Sequence, residues 1–270
     1  MLLFKCILLN DTTFQGFTMV NVSVVLCTNR IDNFLYRAID SLLKQTHQSY
    51  EIVLILNGEA LPLLALLKKK YSDNSVLKIY PSKISYLTHS LNLGIEYSSG
   101  KYIARMDGDD IADPDRLSVQ YKFMEDNPLI SVCGSWYTLI DNEDRATKLV
   151  ELPIDDEAIR RMMYYRNPLC HPTVIFRRDD ITRTGGYLGG LHAEDYDLWL
   201  RLMSNPETKF HNIPQSLLGY RSLSGGLARG SASAYAAVSA SQWKTFVQTG
   251  NLLWLFSSVL TLIKRIRLAF

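Results

Sequence analysis

Three short apolar runs recur in the first half of the chain: VSVVLC (22–27), EIVLIL (51–56) and YIARM (102–106). Runs this short, rich in β-branched and aliphatic residues and lacking polar alternation, are strands buried on both faces. Between the first two, residues 34–44 place Leu35, Ala38, Ile39, Leu42 and Leu43 on one side, the spacing of an amphipathic helix. Residues 61–71 and 87–98 read as further helices, residues 76–80 as a further strand, and Gly100 is positioned to end the helix before it. Such alternation makes a mostly parallel sheet with helices on its faces, an α/β fold of Rossmann-like type. Ligands of these sheets bind beyond the carboxyl ends of the strands. Thr28-Asn29-Arg30, Asn57-Gly58-Glu59 and the acids of 107–110 all follow such strands. They are therefore expected to meet in one crevice.

The second half is less regular. Residues 114–127 and 193–204 read as helices, 131–139 and 172–177 as strands, and 211–230 as turns with basic residues and four glycines. No repeat or linker divides the chain. The expected organisation is a single α/β domain over 20–230, an extension over 1–19 and a C-terminal helical region over 231–270. The opening MLLFKCILL has its lysine in the middle and no small-residue cleavage site, which is not the order of a signal peptide. No segment has the roughly 20 apolar residues of a membrane span. Cys6, Cys27, Cys133 and Cys170 form no CxxC pair, so a reducing, cytoplasmic setting is expected rather than a disulfide or zinc framework. A net charge of +2 argues against a nucleic-acid-coating protein.

The densest chemical signal is MDGDD, with Asp107, Asp109 and Asp110 at the mouth of a buried strand. Aspartate and glycine also build turns and caps, so the spacing alone leaves a turn open. A calcium loop starting at Asp107 would need an oxygen ligand at its fifth position and glycine at its sixth, where Ile111 and Ala112 stand. A dinucleotide fold would place GxGxxG after the first strand, where CTNRIDN stands. Clustered carboxylates suit Mg²⁺ or Mn²⁺ bridging to a diphosphate. The second signal is GGYLGGLHAEDYDLWLRL (185–202), in which paired glycines make a flexible lead-in to Glu194, Asp195 and Asp197 at a helix start. Acids there favour the helix dipole. A carboxylate so placed beside the crevice can equally serve as a general base.

VSVVLCTNR, SLLKQTHQSYEIVLILNG, LNLGIEYSSGKYIARMDGDDIADPDRL and GGYLGGLHAEDYDLWLRL, in this order, resemble a bacterial family 2 glycosyltransferase of the GT-A fold, over about residues 20–225. The resemblance implies an inverting transferase that takes a nucleotide-diphosphate sugar with the help of Mn²⁺ or Mg²⁺. It implies that Asp109 ligates the metal, that Asp107 does so or contacts the donor sugar or ribose, and that Asp110 supports them. It makes Asp195 the catalytic base and Glu194 its neighbour, with Thr28, Asn57 and Asn92 on the nucleotide and Arg221 reaching the diphosphate from a mobile segment. The acceptor implied is a growing surface glycan such as lipopolysaccharide, O-antigen or capsule, carried on a lipid. UDP is the first choice of nucleotide, although Leu56-Asn57 stands where the family often has an aspartate for the base. Two further readings stay open: a silent scaffold that binds nucleotide sugar or glycan, and a nucleotidyltransferase, against which the missing glycine-rich loop argues.

Other residues carry two readings each. His171 is a satisfied structural histidine or approaches the metal or acceptor; His192 lines the acceptor pocket or is a solvated loop residue. Arg105 points inward and forms a structural ion pair. Trp136 and Trp199 belong to the core. The apolar C-terminal segment with its basic end is either a core helix or one lying on the inner face of the membrane.

Overall fold

The computed structural model describes residues 20–190, 192–221 and 231–267; the 1–19 extension lies outside them. Among the described residues nine strands form one sheet: β1 (Val22–Thr28), β2 (Tyr50–Asn57), β3 (Leu77–Ser82), β4 (Tyr102–Asp107), β5 (Ile111–Ala112), β6 (Ile130–Ile140), β7 (Ala146–Val150), β8 (Ile175–Arg177) and β9 (Lys209–Arg221). Their order is β3-β2-β1-β4-β8-β6-β9-β5, with β7 added to β6. The first four are mutually parallel. β8 runs antiparallel to both β4 and β6, and β6 pairs parallel with β9. The sheet is thus mixed: β8 runs against its neighbours in the middle, and β5 and β7 pair antiparallel with β9 and β6.

The helices are α1 (Asn33–Leu42), α2 (Leu64–Lys70), α3 (Leu87–Glu96), α4 (Arg116–Asp126), α5 (Asp156–Met163), α6 (Arg178–Arg183), α7 (Glu194–Met203), α8 (Ala232–Thr249) and α9 (Leu252–Arg267). Helix α1 begins where Asp32 accepts hydrogen bonds from the amides of Phe34 and Leu35, both at 3.0 Å. It buries Leu35, Ala38, Ile39 and Leu42, the face its spacing predicts. β1, β2 and β4 are almost wholly buried, as uninterrupted apolar runs require.

At the amino-terminal edge of the sheet Glu51 is 2% exposed. Burial raises its pKa. Hydrogen bonds from Lys78, Ser23 and both the amide and hydroxyl of Ser99 outweigh that and leave it below the ordinary carboxylate range.

Three expectations are corrected here. Gly100 does not end α3; a Cβ at Gly100 would stand 2.7 Å from the amide nitrogen of Ser23, so glycine admits the close approach of β1. Residues 172–177 are a short 3₁₀ turn (His171–Thr173) followed by a three-residue strand. Residues 209–221, read largely as turns, form the 13-residue β9.

Candidate active site

The strand ends converge as the alternation requires. Thr28 and Asn57 finish β1 and β2, Cys27 is in register with Asp107, and all line one cavity of about 270 Å³ together with Arg30, Asp107 and Asp109. The Thr28 hydroxyl closes a tight turn with the backbone of Arg30. The Asn57 amide donates to Ser90 Oγ at 2.6 Å, and its buried Oδ1 has no partner among the described residues.

Carboxylate oxygens of Asp107, Asp109 and Asp110 lie within 4.8 Å of one another. Asp107 is paired with Arg105 at 2.5 Å, and Asp109 with Arg30 at 3.3 Å. Burial, and then the charge of Asp107, pushes both the Asp109 and the Asp110 carboxyls up, Asp110 strongly. Asp110 is 1% exposed and accepts the Arg221 amide at 2.8 Å, while its Oδ2 has no partner among the described residues. An all-oxygen donor set, mutually repelling and holding an unsatisfied buried oxygen, fits a hard divalent cation such as Mg²⁺ or Mn²⁺.

The second constellation stands at the start of α7. Ala193, just before it, has φ +58, a left-handed conformation unusual for a residue with a side chain. Asp195 Oδ2 accepts from Asn167 Nδ2 at 2.7 Å, and Oδ1 accepts from the amide of Tyr196. The amide of Leu169 binds Asn167 Oδ1 at 3.1 Å, which orients the Asn167 side chain so that its NH₂ faces the carboxylate. Burial holds the Asp195 carboxyl above its ordinary value. Burial and the adjacent Asp195 carry Glu194 up to about 7.

A larger cleft of about 850 Å³ joins the two constellations. Arg105, Asp107, His171, His192, Glu194 and Asp195 all line it, as do Tyr235, Val238, Thr261 and Lys264 of the C-terminal hairpin. Asp107 borders both cavities. His171 Nε2 is 2.7 Å from the Tyr187 hydroxyl and Nδ1 is 3.9 Å from Glu194. Burial, then Arg105, lowers the His171 pKa well below the usual histidine value.

Two residues assigned to the nucleotide and diphosphate are placed elsewhere. Asn92 binds the backbone of Tyr187 twice, through Nδ2 at 2.9 Å and Oδ1 at 2.8 Å. It thereby pins the glycine-rich lead-in at Tyr187, beside Gly186, which has φ +69 and where a Cβ would meet Asn92 at 2.5 Å. Arg221 is 3% exposed at the end of β9, donating to the carbonyls of Asp109 and Asp141 and pairing with Asp144. It braces the acidic cluster from behind. Arg105 forms the expected ion pair, Trp199 is fully buried, and Trp136 donates to the carbonyl of Leu152.

Asn167 and Tyr187 complete the site without any spacing signal to announce them. If Glu194 is carried up to about 7, its folded pKa exceeds the unfolded value. Its contribution to stability is then fully present below the unfolded pKa and lost as pH rises through about 7. Glu194→Gln, which removes the buried charge, is therefore expected to melt above the parent chain at pH values above about 7, with the difference shrinking toward the ordinary glutamate pKa. Melting curves across that range check it.

The parallel strands thus carry an acidic cluster at their ends that opens onto a carboxylate pair at a helix start. Residues 23–186 match the family described as Glycosyl transferase family 2, and the chain belongs to that family. It is 36% identical over 203 residues to the O-antigen biosynthesis glycosyltransferase WbnJ of Escherichia coli, covering 74% of this chain and 79% of that one. It is 32% identical over 206 residues to the amylovoran biosynthesis glycosyltransferase AmsE of Erwinia amylovora, covering 75% and 76%. In fold it is similar to S. aureus TarS 1-349 in complex with UDP-GlcNAc, with a TM-score of 0.67 at 14% identity, covering 84% of this chain and 66% of that one.

Proposed function

We propose that the protein is an inverting, metal-assisted glycosyltransferase. It moves a hexosyl or N-acetylhexosaminyl group from a nucleotide-diphosphate sugar, UDP-linked by preference, to a hydroxyl of a growing bacterial surface glycan such as lipopolysaccharide, O-antigen or capsule. The observation that carries this reading is the position of Asp107, on the wall shared by the strand-end cavity and the cleft that holds Asp195. A donor lying in the first cavity would present its anomeric carbon to the second.

Thr28 and Asn57 would receive the nucleoside, with the unpartnered Asn57 Oδ1 as an acceptor for a base N–H. Asp109 and Asp107 would hold the divalent ion, which when bound supplies positive charge against the departing diphosphate. Asp195 would take the proton of the acceptor hydroxyl. That oxygen then bonds to the anomeric carbon from the side opposite the nucleotide. The bond from carbon to the diphosphate oxygen breaks, its electron pair leaves with the diphosphate, and the configuration inverts. Asn167 keeps the base oriented throughout. Similarity to transferases named for O-antigen and amylovoran biosynthesis supports the glycan class of the acceptor.

The direct test is calorimetric titration with UDP-, GDP-, dTDP- and CMP-sugars, with and without Mn²⁺. Metal-dependent binding of a UDP-sugar is expected. Failure of every donor to bind folded protein would overturn the assignment.

A further inference from the structure

The C-terminal hairpin is built with its polarity reversed. Between α8 and α9 the buried side chains are largely small and polar: Ser239, Gln242, Thr245, Ser257, Ser258 and Thr261. They are stitched by Ser239 Oγ to Ser258 Oγ at 2.8 Å and by Thr261 Oγ1 to Gln242 Oε1 at 2.8 Å. Gln242 continues to the Tyr196 hydroxyl at 2.9 Å, and the Trp254 ring packs tilted against Tyr164 with ring centres 4.2 Å apart, so the hairpin is anchored to the body beside Asp195.

The large apolar residues point the other way. Leu252, Phe256, Val259, Leu260 and Ile263 recur at spacings of four, three, one and three, which puts them on one face of α9. They are 59%, 61%, 48%, 45% and 40% exposed. A helix in a water-soluble protein turns such a face to the core.

Charge says what covers it. Of the 29 basic and 27 acidic side chains of the protein, residues 231–270 hold four basic ones (Lys244, Lys264, Arg265 and Arg267) and no acidic one. The remainder of the chain therefore carries 25 basic against 27 acidic groups. An apolar stripe next to an acid-free cationic segment matches the surface of a membrane with anionic headgroups. With 16 residues, α9 is about 24 Å long, short of the roughly 30 Å hydrocarbon core. No helix among the described residues is long and apolar enough to cross a membrane. The face thus suits a helix lying in the interface plane.

We propose that α9 seats this protein on an anionic phospholipid bilayer, its Leu252–Phe256–Ile263 stripe in the headgroup boundary, with the acid-free positive charge of the segment drawing it to the lipid. Tyr235, Val238, Thr261 and Lys264 of the same hairpin line the cleft that contains Asp195. On the transferase reading, on which this one consequence rests, the acceptor would then be carried on a membrane lipid and meet the base from the bilayer side.

The test is sedimentation of the full chain with vesicles rich in phosphatidylglycerol or made of phosphatidylcholine alone, at low and high salt. Binding is expected to the anionic vesicles, to weaken with salt, and to fall at least about tenfold in Phe256→Asp/Ile263→Asp. Both positions are exposed and outside the cleft, and a circular-dichroism spectrum confirms that the variant is folded. Equal binding to both vesicle types, or a folded variant that binds as well as the parent, would overturn the proposal. So would a lipid-free dimer that the double substitution dissolves, since the face would then be covered by a second copy. Because the assay needs no sugar nucleotide, its failure leaves the donor titration untouched, and failure of that titration leaves docking untouched.

Discussion

Asp195→Asn is expected to lower the turnover number by about 10²–10⁴-fold, the range that a positioned general base contributes. Donor affinity should be unchanged. The amide keeps the size of the carboxylate and can still accept from the backbone of Tyr196, so the start of α7 retains its shape. What it loses is the capacity to take a proton from the acceptor. The partner side chain, Asn167, donates to the carboxylate and does not replace it. Initial-rate kinetics with a saturating acceptor, together with calorimetric donor binding, separate the two effects. A variant that transfers sugar at the parent rate would remove Asp195 from the mechanism and bring forward Glu194, which lines the same cleft.

Asp109→Ala is expected to abolish the metal-dependent part of donor binding and to reduce turnover about a thousandfold, because several kcal/mol of charge stabilisation correspond to roughly three factors of ten. Asp109 is the informative member of the cluster. Its ion pair joins a carboxylate that is 26% exposed to an Arg30 guanidinium that is 54% exposed, and a pair this close to solvent contributes little to folding. Asp110, by contrast, holds the Arg221 amide and is buried, so its removal would disturb the end of β9 as well as the metal. Donor titrations with and without Mn²⁺, run beside melting curves, check this. Unchanged metal dependence in a folded Asp109→Ala would place the ion elsewhere.

The parallel half of the molecule could be read directly, because a strand covered on both faces has to be written as an unbroken apolar run. β1, β2 and β4, and the polar residues that follow them, obey that rule. The acids of 107–110 and 194–195 were visible for the related reason that charge at the end of a buried element has few explanations. β9 was hidden because KFHNIPQSLLGYR interrupts its apolar residues with Pro214 and Gly219, and its pairing with β6 shifts register three times. β5 has two residues and β7 is almost wholly exposed, so neither carries a pattern. Asn92 and Arg221 look like ligand residues because both are polar near a crevice. Their partners, Tyr187 for the one and Asp109, Asp141 and Asp144 for the other, lie 77 to 112 residues away in the chain. Nothing local records such a partnership, and the same holds for Asn167 and Asp195.

The reversal of strand direction at β8 has a consequence for how such enzymes diverge. On one side of it, β3, β2, β1 and β4 share one register and end together, so a change at any strand end disturbs its neighbours. On the other side, the cleft wall contributed by Glu194 and Asp195 and by Tyr235, Val238, Thr261 and Lys264 is assembled from a helix start and a separate hairpin. The family match itself stops at residue 186, ahead of that wall. On the transferase reading, changes in these two elements would alter the acceptor side of the cleft and leave the parallel strand ends that face the sugar nucleotide as they are.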